Sequence, residues 1–320
     1  MNQLESKTPP TSVLSNDMRQ NFTLVIPAYN ESPVIPDLMK ELRAAFREHG
    51  LTGEILLVDD GSTDDTMKVA QVSGANWSLV KVLHHTRNLG KTEAIITAFK
   101  SSTRDHMIIF DADLQHSPKE IPRFLCELQK GSDIVTGKKI GDYQKPVVST
   151  IYNWLSKQIF RVPVTDLNSM KAFKTKILSG IHLRHDWHRF FVVLAYHRGY
   201  SVSEIEIELF PRRAGISKYS SPLRIIPAII DMMSVWFLLL FSRKPLILFG
   251  FTGILLIMLG VSVGILAFYF RFALGTGFRP LLYLVILLET VGFLMLGFGL
   301  VAEMIAQVRE EVQQIKRHLS

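Results

Sequence analysis

Two apolar stretches, Leu246 to about Phe270 and Leu281 to about Met304, constrain this chain more than any other feature. Each is long enough to cross a bilayer core as a helix, the form that satisfies its main-chain polar groups within one segment. Together they read as a two-helix transmembrane hairpin over 245–304. The connection between them carries Arg271 and Arg279, but Arg243, Lys244, Arg309, Lys316 and Arg317 flank the other ends and outnumber them. The positive-inside rule then turns both termini to the cytoplasm. Glu289 lies inside the second stretch, where a carboxyl is costly unless it faces a partner helix.

The segments around the hairpin follow from it. Pro222 to Phe241 is apolar enough to approach a third span, but Arg224, Pro227 and Asp231 interrupt it. An intramembrane Asp costs roughly 2.5 to 3.5 kcal/mol, so amphipathic helices lying in the interface are expected over 220–244. In the C-terminal segment 305–320, Ile305, Val308, Val312, Ile315 and Leu319 repeat at alternating three- and four-residue spacing. That is a short coiled-coil seam, compatible with a homo-oligomer built through the transmembrane and C-terminal helices. The apolar content of 48% is concentrated after about residue 222, which leaves residues 21–219 as a separate domain in front of the membrane. Residues 1–20 are polar, without the apolar core of a signal peptide, and read as a flexible tail.

Within 21–219, apolar runs alternate with amphipathic stretches. Phe22 to Tyr29, Glu54 to Asp60, Leu79 to Leu83 and Met107 to Phe110 are strand-like. Ser32-Pro33, Gly61 to Asp65, His84 to Lys91 and the capping-box spacing of Ser117-Pro118-Lys119-Glu120 are placed to open the helices between them. This order specifies an α/β fold with a doubly wound, mostly parallel sheet, in which ligands sit at the carboxyl ends of the strands. The polar clusters fall at those ends. The most pointed is Asp111-Ala112-Asp113, whose carboxylates project to one side if the chain stays extended. Hard oxygen ligands of this kind suit Mg²⁺ or Mn²⁺.

Other chemistries are disfavoured by residues that are missing. Gly90-Lys91-Thr92 has the ending of a phosphate-binding P-loop, but His85 occupies the position of its first glycine, and no Gly-x-Gly-x-x-Gly follows the first strand. His182, His185 and His188 drift around a helix in steps of three with no cysteine nearby, which argues against zinc. The single cysteine, Cys126, excludes an intrachain disulfide. A net charge of +7 favours anionic lipid or phosphorylated substrates. The basic residues gather around the membrane segments rather than on an aromatic platform, so nucleic acid is not an expected partner.

Val25-Ile-Pro-Ala-Tyr-Asn-Glu31, Val58-Asp-Asp-Gly-Ser62 and Asp111-Ala-Asp-Leu-Gln-His116, in this order and spacing, resemble inverting nucleotide-sugar glycosyltransferases of the GT-A, Rossmann-like type. The resemblance covers about residues 22 to 310. It is nearest to the polyprenyl-phosphate branch, which includes dolichyl-phosphate mannose synthase and bacterial undecaprenyl-phosphate glucosyl- and aminoarabinosyl-transferases. It implies transfer of a sugar from a UDP- or GDP-linked donor to a polyprenyl phosphate, with inversion, by a membrane enzyme whose catalytic domain is cytoplasmic.

The resemblance also assigns residues. Pro27, Tyr29 and Glu31 would line the nucleoside pocket, Asp59 and Asp60 would contact the base or ribose, and Lys91 and Asp111 complete the nucleotide-binding set. Asp111, Asp113 and Gln115 would hold the metal. Gly137-Lys138-Lys139 and Lys145-x-x-x-Ser149 match the region that binds the acceptor phosphate, with Lys139 and Lys145 where the family usually has arginine. Asp166-Leu-Asn-Ser169 matches an Asp-x-x-Ser turn, although Met170 and Ala172 depart from its usual Gly-Phe continuation. Asp113, Arg189 and the basic loop residues Arg212 and Lys218 are the implied catalytic set. Two rivals are weaker. A processive polysaccharide synthase would carry a Gln-x-x-Arg-Trp motif that is absent here and would need more spans. A decayed transferase serving as a membrane scaffold is at odds with the intact acidic motifs.

Overall fold

Strand-length apolar runs, each followed by a polar cluster and an amphipathic stretch, are driven to pair as strands and to cover both sheet faces with helices. The computed structural model describes residues 14–140, 155–181, 183–211, 225–241, 245–277 and 279–319. After a short helix α1 (Asn16–Gln20), strand β1 (Phe22–Ala28) is followed by α2 (Ile35–His49), and β2 (Glu54–Asp59) by α3 (Thr66–Gly74). Strand β3 (Val80–His84) leads to α4 (Lys91–Ser101), and β4 (His106–Ile109) to a 3-10 turn (Pro118–Glu120) and α5 (Ile121–Gln129). Strands β5 (Ile134–Ile140) and β6 (Lys171–Lys174), helices α6 (Lys176–Gly180) and α7 (Phe191–Tyr196), and strand β7 (Val202–Glu208) complete this unit.

The seven strands lie in the order β3-β2-β1-β4-β6-β5-β7. Pairs β1/β2, β2/β3, β1/β4 and β5/β7 are parallel, and β6 runs antiparallel between β4 and β5. The doubly wound, mostly parallel sheet is therefore present. Because the chain builds outward from β1 to β3 and then returns to lay β4 on the other side of β1, the crevice between the ends of β1 and β4 is the topological switch point. The acidic turn at Asp111 leaves β4 at this crevice.

Strand β1 is the axis of the core. Phe22, Leu24 and Ile26 are fully buried against Leu38, Leu42 and Phe46 of α2 and Phe124, Leu125 and Leu128 of α5. Each such side chain contributes about 1.5 to 3 kcal/mol relative to exposure. Three local expectations are revised. Within residues 14–20, expected as part of a flexible tail, Asn16–Gln20 form α1 with Ser15 as its cap, and Leu14 and Met18 join the core. Ser32 does not cap α2, which starts at Ile35 without a side-chain cap; the Ser32 hydroxyl donates to Asp64 instead. The Ser117 box is half formed: its hydroxyl accepts from Lys119 N, while Glu120 pairs with Arg123.

Helix α8 (Ile225–Phe241) follows, and Met232 Sδ accepts from the Ser156 hydroxyl at 3.3 Å. The second unit, Met233–Ser320, comprises the end of α8 with α9 (Pro245–Phe272) and α10 (Arg279–Leu319), and α9 and α10 each contain a segment long and apolar enough to cross a membrane. Without a hydrophobic drive in lipid, such helices associate through close backbone packing, and glycines supply it here. A methyl group on Gly253 would stand 2.7 Å from the Gly292 carbonyl oxygen, and one on Gly260 would stand 2.7 Å from Glu289 Oε1. Glu289 thus faces α9. Leu246 N, at the start of α9, donates to Glu303 Oε2 of α10 at 3.2 Å. Gly253→Ala is expected to destabilise the detergent-solubilised hairpin by about 1 to 3 kcal/mol. Gly297→Ala, where an added methyl meets nothing within 4 Å, is expected to leave the melting temperature unchanged.

Candidate active site

The loops leaving β1, β2, β3 and β4 are tied together by short polar side chains. Asn30, held at φ 56°, donates its main-chain N–H to Ser62 Oγ at 2.9 Å and accepts from Thr63 N at 2.8 Å. Glu31 N donates to Thr66 Oγ1 at 2.8 Å. These bonds lock the β1 loop against the β2 loop and leave Pro27, Tyr29 and Glu31 half-buried beside it. Gly61, at φ +67°, lies so close to Arg87 that a methyl group would fall 2.2 Å from its carbonyl carbon, which brings the β3 loop into the same assembly.

Asp59 and Asp60 are buried, and hydrogen bonds within the protein occupy both. Asp59 accepts from the main chain and hydroxyl of Ser62 and pairs with His84 Nδ1 at 2.9 Å. Asp60 accepts from Leu89 N at 3.0 Å and Gly90 N at 2.8 Å and pairs with His85 Nδ1 at 2.8 Å, while His85 Nε2 meets Thr97 Oγ1. Their structural work is to shape the loop that ends at Lys91.

That loop is fixed from a second side. Gly90 takes φ +92° as the cap of α4, with His185 packed over it where a side chain would stand. The buried Thr92 Oγ1 meets His188 Nδ1 at 3.1 Å and accepts from His188 N at 3.3 Å. Lys91, between Gly90 and Thr92, is thereby aimed into the crevice and pairs through Nζ with Asp111. Burial pushes the Asp111 carboxyl up, but the charge and hydrogen bond of Lys91, with help from His116 and Lys171, hold it well below the usual carboxylate range.

The acidic turn is not the extended segment expected from its spacing. β4 ends at Ile109, Ala112 and Asp113 form a turn, and Leu114 sits at φ 53°. Asp111 keeps a partly exposed side chain, whereas Asp113 is buried and accepts from Gln115 N at 3.2 Å. Among the described residues no group of three His, Cys, Asp or Glu side chains converges as a metal cage. Two carboxylates and an amide oxygen still fit Mg²⁺ or Mn²⁺, which bind through one or two carboxylates and complete their shell with water and phosphate.

Beyond the turn, Lys139 Nζ pairs with Asp166 at 3.2 Å and donates to the Asn168 carbonyl at 2.9 Å. Phe210 N donates to the Gln115 carbonyl at 2.9 Å, so the chain leaving β7 runs beside the acidic turn. Arg189 is half-buried, its Nε has no partner among the described residues, and its charge acts on Asp231 of α8. Lys145, Ser149, Arg212 and Lys218 lie outside the described residues.

Sequence reasoning passed over three groups. His116 is buried between Asp111, Asp113 and Lys139, and burial together with the Lys139 charge holds its imidazole below the ordinary histidine value despite the carboxylates. His188 is held well below it by burial and by Lys91, Lys171 and Arg189. Lys171, buried on β6, lies within electrostatic reach of Lys91, Asp111, Asp166 and Lys139. A histidine directly after the Asp-x-Asp-x-Gln run and a lysine inside an apolar strand were the available signals.

Residues 23–191 match the family model described as Glycosyl transferase family 2. The chain is 29% identical over 308 residues to an undecaprenyl-phosphate 4-deoxy-4-formamido-L-arabinose transferase of Klebsiella pneumoniae, covering 93% of this chain and 92% of that protein. It is equally similar to a dodecaprenyl-phosphate galacturonate synthase of Rhizobium johnstonii, covering 92% and 90% respectively. Among solved structures, glucosyl-3-phosphoglycerate synthase from Mycobacterium tuberculosis, in complex with Mn²⁺, UDP and phosphoglyceric acid, superposes with a TM-score of 0.58 at 16% identity, over 72% of this chain and 84% of that one. Its complex with Mg²⁺ and UDP gives 0.57 at 16% identity, over 71% and 84%. These structures share the GT-A fold.

Lys91→Met removes the attraction that keeps Asp111 ionised. A carboxyl with a depressed pKa contributes stability above its unfolded value, and that contribution is lost as pH falls through the folded value. Both side chains are partly exposed, so the expected loss in denaturant unfolding is only about 1 kcal/mol at pH 7. The gap between wild type and variant should begin to narrow as pH falls below about 4, where the unfolded carboxyl protonates, and close only at the acid extreme, where the depressed folded carboxyl is protonated as well.

Proposed function

Since this chain belongs to glycosyl transferase family 2, we propose that it transfers a sugar from a UDP- or GDP-linked donor to a polyprenyl phosphate, with inversion, at the cytoplasmic face of a membrane. The observation that carries the reading is the Lys91–Asp111 pair at the switch-point crevice, with Asp113 and Gln115 beside it. The relatives matched over nearly the whole chain bear the names of undecaprenyl- and dodecaprenyl-phosphate enzymes, which supports a lipid phosphate as acceptor. Two C-terminal helices long and apolar enough to cross a bilayer support action at a membrane. The excess of basic residues outside the connecting turn supports a cytoplasmic catalytic domain.

In this reading, Pro27, Tyr29 and Glu31 border the nucleoside, and Asp59 and Asp60 act by shaping the loops around it. Lys91 offers an ammonium to the diphosphate. Asp111, Asp113 and Gln115 would hold Mg²⁺ or Mn²⁺, whose charge would offset that of the departing diphosphate. Lys139, with Lys145 and Ser149, receives the acceptor phosphate, and Arg189, Arg212 and Lys218 supply further positive charge. A phosphate oxygen attacks the anomeric carbon as the bond to the donor diphosphate breaks on the opposite face. The acceptor phosphate is already anionic at neutral pH, so no strong base is required. Rate enhancement comes from alignment and from cations placed where charge develops. The exposed seam of Ile305, Val308, Val312 and Ile315 supports a second copy as a further partner.

The test is to offer the purified chain a panel of nucleotide sugars with a short polyprenyl phosphate and Mg²⁺ or Mn²⁺, and to identify the lipid product by mass. One donor is expected to give a polyprenyl-phosphate sugar, and no product from any donor would contradict the reading. Asp113→Asn, folded by circular dichroism, is expected to lose at least 100-fold in turnover, within the several kcal/mol a metal supplies to transition-state charge. Full activity in that variant or in excess chelator would remove the metal from the account.

A further inference from the structure

A charged side chain taken out of water is normally paired with an opposite charge, because its desolvation is otherwise uncompensated. Lys171 breaks that pattern. It is 3% exposed and sits on β6 opposite Ile109 of β4 on one side and Thr136 of β5 on the other. Its Nζ donates to two neutral acceptors, the carbonyls of Leu167 at 2.9 Å and Ser169 at 3.1 Å. Among the described residues, no carboxylate lies within 4.0 Å of it. The Asp166 carboxylate of the same turn is already paired with Lys139. In that turn the buried Ser169 Oγ has no hydrogen-bond partner among the described residues, and it packs against Gly137 of β5, where an added methyl would stand 2.8 Å from it and 2.2 Å from Ile207 Cδ1.

Two independent features therefore converge on one place. Among the described residues, an ammonium with no carboxylate within 4.0 Å and a hydroxyl without a hydrogen-bond partner line the turn between the Lys91–Asp111 pair and Lys139. We propose that Lys171 is a third lysine of the phosphate site, supplying buried positive charge and holding the Asp166–Ser169 turn for a phosphate anion bound between Lys91 and Lys139. The missing counter-charge is then the ligand itself. This inference rests on the proposed transferase reading and extends it to a residue that reading leaves without a role. The ligand chemistry is a phosphate anion, carried either by the nucleotide diphosphate or by the lipid acceptor.

The electrostatics agree. Burial lowers the Lys171 ammonium to about 7, Lys91 and Lys139 press in the same direction, and Asp166 and Asp111 oppose them. His188, which faces the same lysines, is neutral and adds no compensating charge. A lysine lowered from 10.5 to about 7 destabilises the fold below pH 7, and the cost fades as pH rises toward 10.5. Residues retained at a cost to stability are typical of binding and catalytic sites.

The experiment uses the full chain in detergent and two variants, Lys171→Met, which removes charge and donor, and Lys171→Gln, which removes charge and keeps a donor. Melting temperatures are measured at pH 6 and pH 10, and dissociation constants at pH 7 for UDP, GDP and a short polyprenyl phosphate. Lys171→Met is expected to melt above wild type at pH 6 and to lose that advantage by pH 10. Both variants are expected to bind at least one phosphate ligand tenfold or more weakly, and the ligand with the larger loss identifies the source of the anion. Wild-type affinity for every ligand in both variants would overturn the proposal. So would a lower melting point at pH 6 with binding lost in Lys171→Met and kept in Lys171→Gln, because that pattern describes a turn stitch alone. Wild-type turnover is assayed in parallel. Phosphate binding that depends on Lys171 without sugar transfer would contradict the transferase reading and leave the Lys171 site standing.

Discussion

The ion pair between Lys91 and Asp111 is the interaction on which the rest of the site depends. Asp111 stands at the end of a buried central strand, where burial alone would favour its neutral form, and a neutral carboxyl is a poor partner for a divalent ion or a cationic side chain. An ammonium must therefore be delivered to it and kept there. The elaborate hydrogen bonding of the β2 and β3 loops serves that end: Asp60 grips Leu89 and Gly90, and His188 grips Thr92. The Val58-Asp-Asp-Gly-Ser62 segment, expected to contact the base or ribose, is also the scaffold that aims this lysine.

The same logic separates the two carboxylates of Asp111-Ala112-Asp113. Asp111 is accessible and ion-paired, whereas Asp113 is buried and turned back on Gln115 N. They differ in solvation and partner, so one is suited to exchange between cations and the other to hold its place. Around them lie buried polar atoms without partners among the described residues, on His116, Ser169 and Arg189. Unsatisfied groups of this kind are costly in a core, and further ones stand on His49, Thr175 and Ser203.

Much of the fold was legible because its determinants are local. Apolar runs of strand length, punctuated by Gly, Asp and Ser, define β1, β2, β3 and β4 to within a residue or two, and two long apolar stretches define α9 and α10. The antiparallel insertion of β6 between β4 and β5 was not legible, since nothing in Lys171-Ala-Phe-Lys174 states its partners or direction. The site followed the same division. The residue types and their place at strand ends were visible, but the partners of Asp59 and Asp60 were not, because His84 and His85 reach them only once β2 and β3 are paired in register. The spacing of Asp111 and Asp113 misled for a related reason: i and i+2 share a side only while the chain stays extended, and here it turns after Ile109.

The central claim of the proposed function is that Asp111 and Asp113 would hold a divalent ion beside the donor diphosphate, with Lys91 free to pair with the phosphate instead of Asp111. Anomalous diffraction from crystals grown with Mn²⁺ and the diphosphate of the active donor tests it directly. The account predicts one manganese peak within bonding distance of Asp111 and Asp113, with Lys91 Nζ moved from Asp111 onto a phosphate oxygen. A diphosphate bound with Lys91 still on Asp111, or manganese ordered away from both carboxylates, would contradict it.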